Sequence, residues 1–134
     1  IAKSIVEDLR AGTTIICDRY AFSGVAYSVA KGLDFTWCQN PDRGLPCPDA
    51  VFFLHIDEQV GAARANFGDE RYENAEMQAK VRLQFKDPRL RAKVKWHDVN
   101  GARDMEVIHA EIRAVVDAIC SKKEPRTLHQ LWLY

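Results

Sequence analysis

Short runs rich in β-branched and aromatic residues, each followed by a stretch with helical spacing, restrict this chain to few architectures. The runs are Thr13 to Cys17 (TTIIC), Ala50 to Ile56 (AVFFLHI) and Val94 to Val99 (VKWHDV). The first two carry apolar residues at consecutive positions, which predicts buried strands of a parallel sheet covered by helices. The third alternates, as a strand with one wet face would. Helical spacing appears in Ile1, Ile5 and Leu9, widened by Val6 and stopped at Gly12, and again from Phe22 to Lys31. A further helix is predicted from Asp57 to Arg64, with Asp57 as its N-cap, and another over Asn74 to Phe85 through Met77, Val81 and Phe85. The clearest amphipathic segment is Asp104 to Cys120, where Val107, Ile108, Ile112, Val115, Val116 and Ile119 share one side. Strands alternating with helices predict an α/β fold with a parallel sheet and flanking helices.

Between these elements, Gly32 to Asp49 carries Pro41, Gly44, Pro46 and Pro48 and reads as a loop. Pro88, with Arg89, Arg91 and Lys93, breaks the helical pattern before it. The tail from Leu128 to Trp132 can dock through its leucines and tryptophan. A length of 134 residues fits one domain, and 47% hydrophobic composition supplies one core. The chain begins inside a helical pattern, with no capping residue before Ile1, which predicts a longer parent sequence.

Charge and cysteine usage narrow the function. With 19 basic and 19 acidic residues the formal charge is zero, so neither nucleic acid nor a membrane surface is expected as a partner. Any bound anion must be held by a few local arginines. Apolar runs are strand-sized, so no membrane-spanning helix is predicted. Charged residues interrupt the first segment, so no signal peptide is predicted. Cys17, in an apolar run, reads as a small buried hydrophobe. Cys38 and Cys47 flank the Pro/Gly loop, where a metal would need two further ligands, and no C-x-x-C pair occurs. A reducing, intracellular setting follows.

Ligands of parallel α/β sheets sit beyond the C-terminal ends of strands, where Asp18 and Arg19 fall. A carboxylate there can orient a metal-bound water, and an adjacent guanidinium can clamp a phosphate bidentately. A solvated ion pair opening a loop is the competing reading. Asp69 to Glu73, preceded by Arg64, fits either a lid that closes over phosphates or an ordinary charged surface loop. Arg89, Arg91 and Lys93 read as a solvated face. His55 and His109 read as structural, and Trp37, Trp96 and Trp132 as packing residues.

The run Asp18-Arg19-Tyr20-Ala21-Phe22-Ser23-Gly24-Val25-Ala26-Tyr27 closely resembles the D-R-Y-x-x-S-G-x-A-[YF] signature of thymidylate kinases. Gly44-Leu45-Pro46-Cys47-Pro48-Asp49 is similar to that family's G-L-P-x-P-D. Phe67 to Glu73 (FGDERYE) resembles its F-G-x-E-R-Y-E lid segment. Gln78, Trp96 to Ala102, Ile108-His109 and Leu128 to Trp132 match the eukaryotic form. The likeness runs in order along nearly the whole chain.

This resemblance implies a P-loop-kinase-like α/β domain, with residues 1–134 its C-terminal part and a lid near 64–73. It implies transfer of the ATP γ-phosphoryl group to dTMP, giving dTDP, with Mg2+. By the same resemblance Asp18 helps position Mg2+-bound water and the acceptor phosphate, and Arg19 grips the dTMP phosphate. Ser23 and Gly24 line the nucleotide pocket, and Tyr27 lies beside the sugar, favouring deoxyribose. Tyr72 and Gln78 close the acceptor site, and Arg64 and Arg71 lie on the lid near ATP. Asn100, Gly101, Ala102 and Arg103 take the position of the adenine-side loop, with Arg113 on the next helix. The family's usual aspartate is Asn100 here. A homodimer is implied, in the cytoplasm or else the nucleus or mitochondrion.

No G-x-x-x-x-G-K-[ST] occurs in the chain. In the family that loop follows a first strand lying between those that correspond to Thr13–Cys17 and Ala50–Ile56. Without that strand both edges face a gap, so the chain alone is expected to be unstable and without measurable kinase activity. Two other readings stay open: a neighbouring P-loop kinase with a different acceptor, and a non-catalytic nucleotide-binding or interaction protein derived from this fold.

Overall fold

Glycine stop signals set the ends of the first two helices in the computed structural model, which describes residues 2–57, 60, 75–123 and 127–133. Helix α1 (Ala2–Arg10) ends where Gly12 adopts φ +88°. Thr13 N–H then donates to Asp8 C=O at 3.0 Å and Gly12 N–H to Leu9 C=O at 3.1 Å. Helix α2 (Ala21–Ala30) ends in the same way at Gly32, φ +95°, through Leu33 N–H to Ser28 C=O and Gly32 N–H to Val29 C=O. These paired bonds satisfy last-turn carbonyls, and the left-handed residue they need is free of a Cβ penalty only in glycine.

The segment read as one loop contains helix α3 (Phe35–Gln39) and a 3-10 turn at Asn40–Asp42. Asp34 caps α3, its carboxylate accepting from Trp37 N–H at 2.8 Å. Later, β1 (Val51–His55) and α4 (Ala75–Phe85) occupy the predicted stretches. Pro88 starts a helix as well as ending one. Helix α5 (Pro88–Arg91) has the proline at its first turn and Asp87 as N-cap, accepting from Arg89 N–H at 2.8 Å. Strand β2 (Trp96–Asn100) and α6 (Met105–Cys120) complete the described elements. The helix predicted from Asp57 to Arg64 and the lid near 64–73 lie outside the described residues.

The chain divides into two compact units. The first comprises Ile1–Cys47, Glu73–Ala92 and Thr127–Tyr134, and the second Pro48–Tyr72 and Lys93–Arg126. In the first, α2 packs on α3, α4 and α5. Its core is Phe22, Val25 and Ala26 of α2 with Cys38, Val81, Leu90 and the tail residue Leu131, and Leu90 is 0% exposed. Arg89 grips Asp87 in a bidentate ion pair and lies 4.3 Å from the Phe35 ring centroid. That contact holds the Asp87 carboxyl below its usual range. Arg91 Nε donates to Phe85 C=O at 2.6 Å. Arg91 thus ties α5 back to the end of α4, whereas Arg89 and Lys93 are exposed, in keeping with a solvated face. The tail docks as expected through Leu131 and through Trp132, whose ring meets Phe22 edge-on at 5.9 Å.

In the second unit β1 and β2 pair in parallel, from Val51 opposite Trp96 to His55 opposite Asn100. Phe52 stacks on His97 at 5.3 Å, and Phe53 meets Trp96 at 6.4 Å. Among the described residues these are the only two strands of the sheet. The strand predicted at Thr13 to Cys17 does not form, and Ile16 is 88% exposed. β-branched residues favour a strand only when a neighbour completes the ladder and covers the side chains. No described strand does so for residues 13–17. Cys17 is accordingly exposed rather than buried. Trp37 is 61% exposed and so is not a packing residue. The apolar side of α6 is no more than half-buried, and β1 is buried on neither face throughout. No helix among the described residues is long and apolar enough to cross a membrane.

Candidate functional site

Asp18 and Arg19 lie on the exposed link between the irregular segment 13–17 and α2. The link is shaped by Tyr20. Its hydroxyl donates to Pro46 C=O at 2.9 Å, and its own carbonyl accepts from Ser23 Oγ at 3.1 Å and Ser23 N–H at 3.2 Å. Burial pushes the Tyr20 phenol up to about 12, helped by the negative charge that Cys17, Asp42 and Cys47 can carry nearby. The phenol therefore stays protonated and can donate at neutral pH.

Arg19 adopts φ +64°, a left-handed conformation unusual outside glycine. Its guanidinium carbon lies 5.4 Å from the centroid of the Tyr27 ring, within cation–π range. Along α2, Ser23 and Tyr27 are half-buried and Gly24 is exposed. Gln78, half-buried, belongs to α4, the helix packed on α2. Asp18, Arg19, Ser23, Gly24, Tyr27 and Gln78 thus all belong to the first unit.

The Gly44 to Cys47 loop is held from a second direction by the tail. Gly44 N–H donates to Leu131 C=O at 3.0 Å, Leu131 N–H to Leu45 C=O at 2.8 Å and Cys47 N–H to His129 C=O at 2.8 Å. Gly44 takes φ +82° to make this turn. Tyr20 and the backbone of His129 to Leu131 position this loop, a role the sequence argument gave to neither, although it expected the tail to dock through its leucines. The nearest signal was the motif character of both segments, which gave no hint that they meet.

Asn100 to Arg103 forms a separate construction in the second unit, at the end of β2. Asn100 Oδ1 accepts from Ala102 N–H at 2.9 Å, closing a turn that an asparagine or aspartate makes equally well. Gly101 N–H donates to His55 C=O at 2.9 Å, and the glycine packs so closely that an added Cβ would meet Ile56 Cγ1 at 2.8 Å. Arg103 is bound by the Glu111 carboxylate of α6 and donates through Nε to Asn100 C=O at 3.1 Å. Arg113 pairs along its own helix with Asp117 at 3.5 Å. The structure therefore joins Asn100, Gly101, Ala102 and Arg103 in one turn, while Arg113 is engaged on α6. Arg64, Arg71 and Tyr72 lie outside the described residues. Among the described residues no three His, Cys, Asp or Glu side chains come together as a metal site.

Comparison with known proteins places this arrangement. The thymidylate kinase family model matches residues 1–112. The thymidylate kinase of Schizosaccharomyces pombe is 43% identical over 120 residues, covering 86% of this chain and 56% of that protein. The thymidylate kinase of Danio rerio is 39% identical over 127 residues, covering 94% of this chain and 60% of that protein. The chain thus spans little more than half the length of these relatives. A solved structure of the thymidylate kinase of Candida albicans superposes with a TM-score of 0.75 at 29% identity, covering 96% of this chain and 66% of that one. The fold is accordingly the α/β fold of that enzyme, the described residues giving a parallel strand pair and six helices. On the match over residues 1–112, with the Asp18 to Tyr27 signature at the head of α2, the chain belongs to the thymidylate kinase family.

Proposed function

We propose that this chain carries the acceptor side of an enzyme that transfers the γ-phosphoryl group of ATP to dTMP, giving dTDP. The observation that supports it is the gathering of Asp18, Arg19, Ser23, Gly24, Tyr27 and Gln78 in one packed unit around α2. In the reaction an oxygen of the acceptor phosphate bonds to the γ-phosphorus, and the bond from that phosphorus to the β–γ bridging oxygen breaks. Little covalent chemistry falls to the protein, so positioning and charge stabilisation dominate. Arg19 would hold the dTMP phosphate, and Ser23 and Gly24 would border the nucleotide. Tyr27 would crowd the 2′ position of the sugar, and Tyr72 and Gln78 would close the pocket.

Asp18 offers an exposed, hard carboxylate, and among the described residues no three His, Cys, Asp or Glu side chains gather into a full metal cage, which suits a Mg2+ that keeps most of its water. When bound, Mg2+ neutralises charge on the phosphates. ATP would approach the Asn100 to Arg103 turn, with Arg64, Arg71 and Arg113 as further donors. Because Arg103 is already engaged by Glu111 and Asn100 C=O, its role is to brace the turn more than to reach the nucleotide. Residues 1–134 belong to a single kinase domain with its lid near 64–73. A homodimer and an intracellular location, cytoplasmic in the first instance, complete this reading.

The 134 residues hold no G-x-x-x-x-G-K-[ST], so the chain by itself should not transfer phosphoryl groups. A nucleotide-binding protein without catalysis, derived from the same fold, is the second reading. Calorimetry with dTMP, dUMP, dCMP and thymidine, alongside an assay for dTDP, tests both. The proposal expects dTMP to bind best, with no turnover by this chain and with turnover once a G-x-x-x-x-G-K-[ST]-bearing segment is supplied. Preference for another monophosphate would sink the dTMP reading. Binding without turnover even with that segment would establish the non-catalytic one.

A further inference from the structure

Three features converge on Arg19. Its backbone is held in the left-handed region at φ +64°. The next residue is fixed, because Tyr20 Oη donates to Pro46 C=O and Tyr20 C=O accepts twice from Ser23. Its guanidinium carbon rests 5.4 Å from the Tyr27 ring centroid, two turns along α2. A residue in a costly conformation persists where its surroundings over-determine it. Here Tyr20 and Ser23 fix the backbone, and the Tyr27 face receives the charge.

We propose that Tyr27 is a positioning residue for Arg19, its ring face holding the guanidinium at the acceptor end of α2. One aromatic side chain then serves both sugar selection and phosphate grip. This rests on the reading that Arg19 grips the acceptor phosphate and Tyr27 borders its sugar. A 2′-hydroxyl that pushes the ring aside also unseats the guanidinium, so a ribonucleotide is penalised twice. The hydroxyl of Tyr27 is not needed for this, because the attraction comes from the ring face.

The test compares Y27F, which keeps the face, with Y27L, which removes it, in the 134-residue chain. The readout is the ratio of dTMP to thymidine affinity by calorimetry, which cancels any loss of contact with the nucleoside. An exposed cation–π contact corresponds to about a two- to fivefold effect. The ratio should fall by that factor in Y27L, stay at the parent value in Y27F, and respond to Y27L no further in an R19Q background. In the free chain, the Arg19 side-chain NMR resonances should lose their ring-current shift in Y27L and keep it in Y27F. A ratio that moves with R19Q but not with Y27L overturns the positioning role alone. A ratio unmoved by R19Q, or no saturable dTMP binding, overturns the phosphate-gripping role and this inference with it. Resonances indifferent to Y27L overturn the pair itself.

Discussion

In the first unit, residues far apart in sequence close on one another: Tyr20 reaches Pro46, and the Gly44 to Cys47 loop pairs with His129 to Leu131. In the second, the ladder of β1 and β2 is capped by a turn whose bonds run within Asn100 to Glu111 and back to His55. The first has a core of buried side chains from four helices and the tail, whereas among the described residues of the second Val99 is the buried hydrophobe. Asp18, Arg19, Ser23, Gly24, Tyr27 and Gln78, proposed above to hold the acceptor, thus belong to the better-supported unit, and the Asn100 to Arg103 turn to the thinner one. Recognition of the acceptor should therefore survive damage to the second unit, and fail with damage to the first.

Leu131→Ala should break this contrast most severely. Removing a side chain 2% exposed from the first core should cost about 2–5 kcal/mol in urea unfolding. Hydrogen exchange should speed up in α2 and α4, and dTMP binding should weaken. A smaller effect is expected of Gly101→Ala, where the new methyl group meets the flexible Ile56 side chain and the His55 carbonyl. About 1–3 kcal/mol should be lost, with faster exchange confined to β1 and β2 and unchanged dTMP affinity.

Tyr20→Phe tests the link between the signature and the loop. Loss of the bond to Pro46 C=O should cost about 1 kcal/mol. The group also predicts a pH dependence. Its pKa is raised from 10.0 to about 12 in the folded chain, so between those values the folded state holds the proton that the unfolded state has lost. Stability from this group is therefore fully present below pH 10 and lost as pH rises through the folded value. The parent chain should show that alkaline decline and Tyr20→Phe should lack it. Smallest of all, Arg113→Ala removes an exposed pair on α6 and should change stability by less than about 0.5 kcal/mol.

The contrast between units also explains what was legible in the sequence. Helices α2, α4 and α6 follow from side-chain spacing because their hydrogen bonds are local. The glycine stops of α1 at Gly12 and of α2 at Gly32 are equally local. Thr13 to Cys17 misled because β propensity describes fit to a sheet, and no described strand lies beside it. Helix α3 was hidden under a Pro/Gly loop signal and α5 behind Pro88 read as a break, although Asp34 and the Asp87-Pro88 pair are ordinary helix starts. The residues proposed to hold the acceptor stand out in the sequence because most lie within Asp18 to Tyr27. Their support from Pro46 and the tail does not, since nothing in a sequence announces that residues 45 and 131 share a hydrogen bond.

The central claim, that acceptor recognition resides in the first unit, is tested most directly by hydrogen exchange of the 134-residue chain with and without dTMP. The account predicts added protection at Asp18 to Tyr27, in α4 and in the Gly44 to Cys47 loop, with the Asn100 to Arg103 turn unchanged. Protection centred on Asn100 to Arg103, or none in α2, would contradict it.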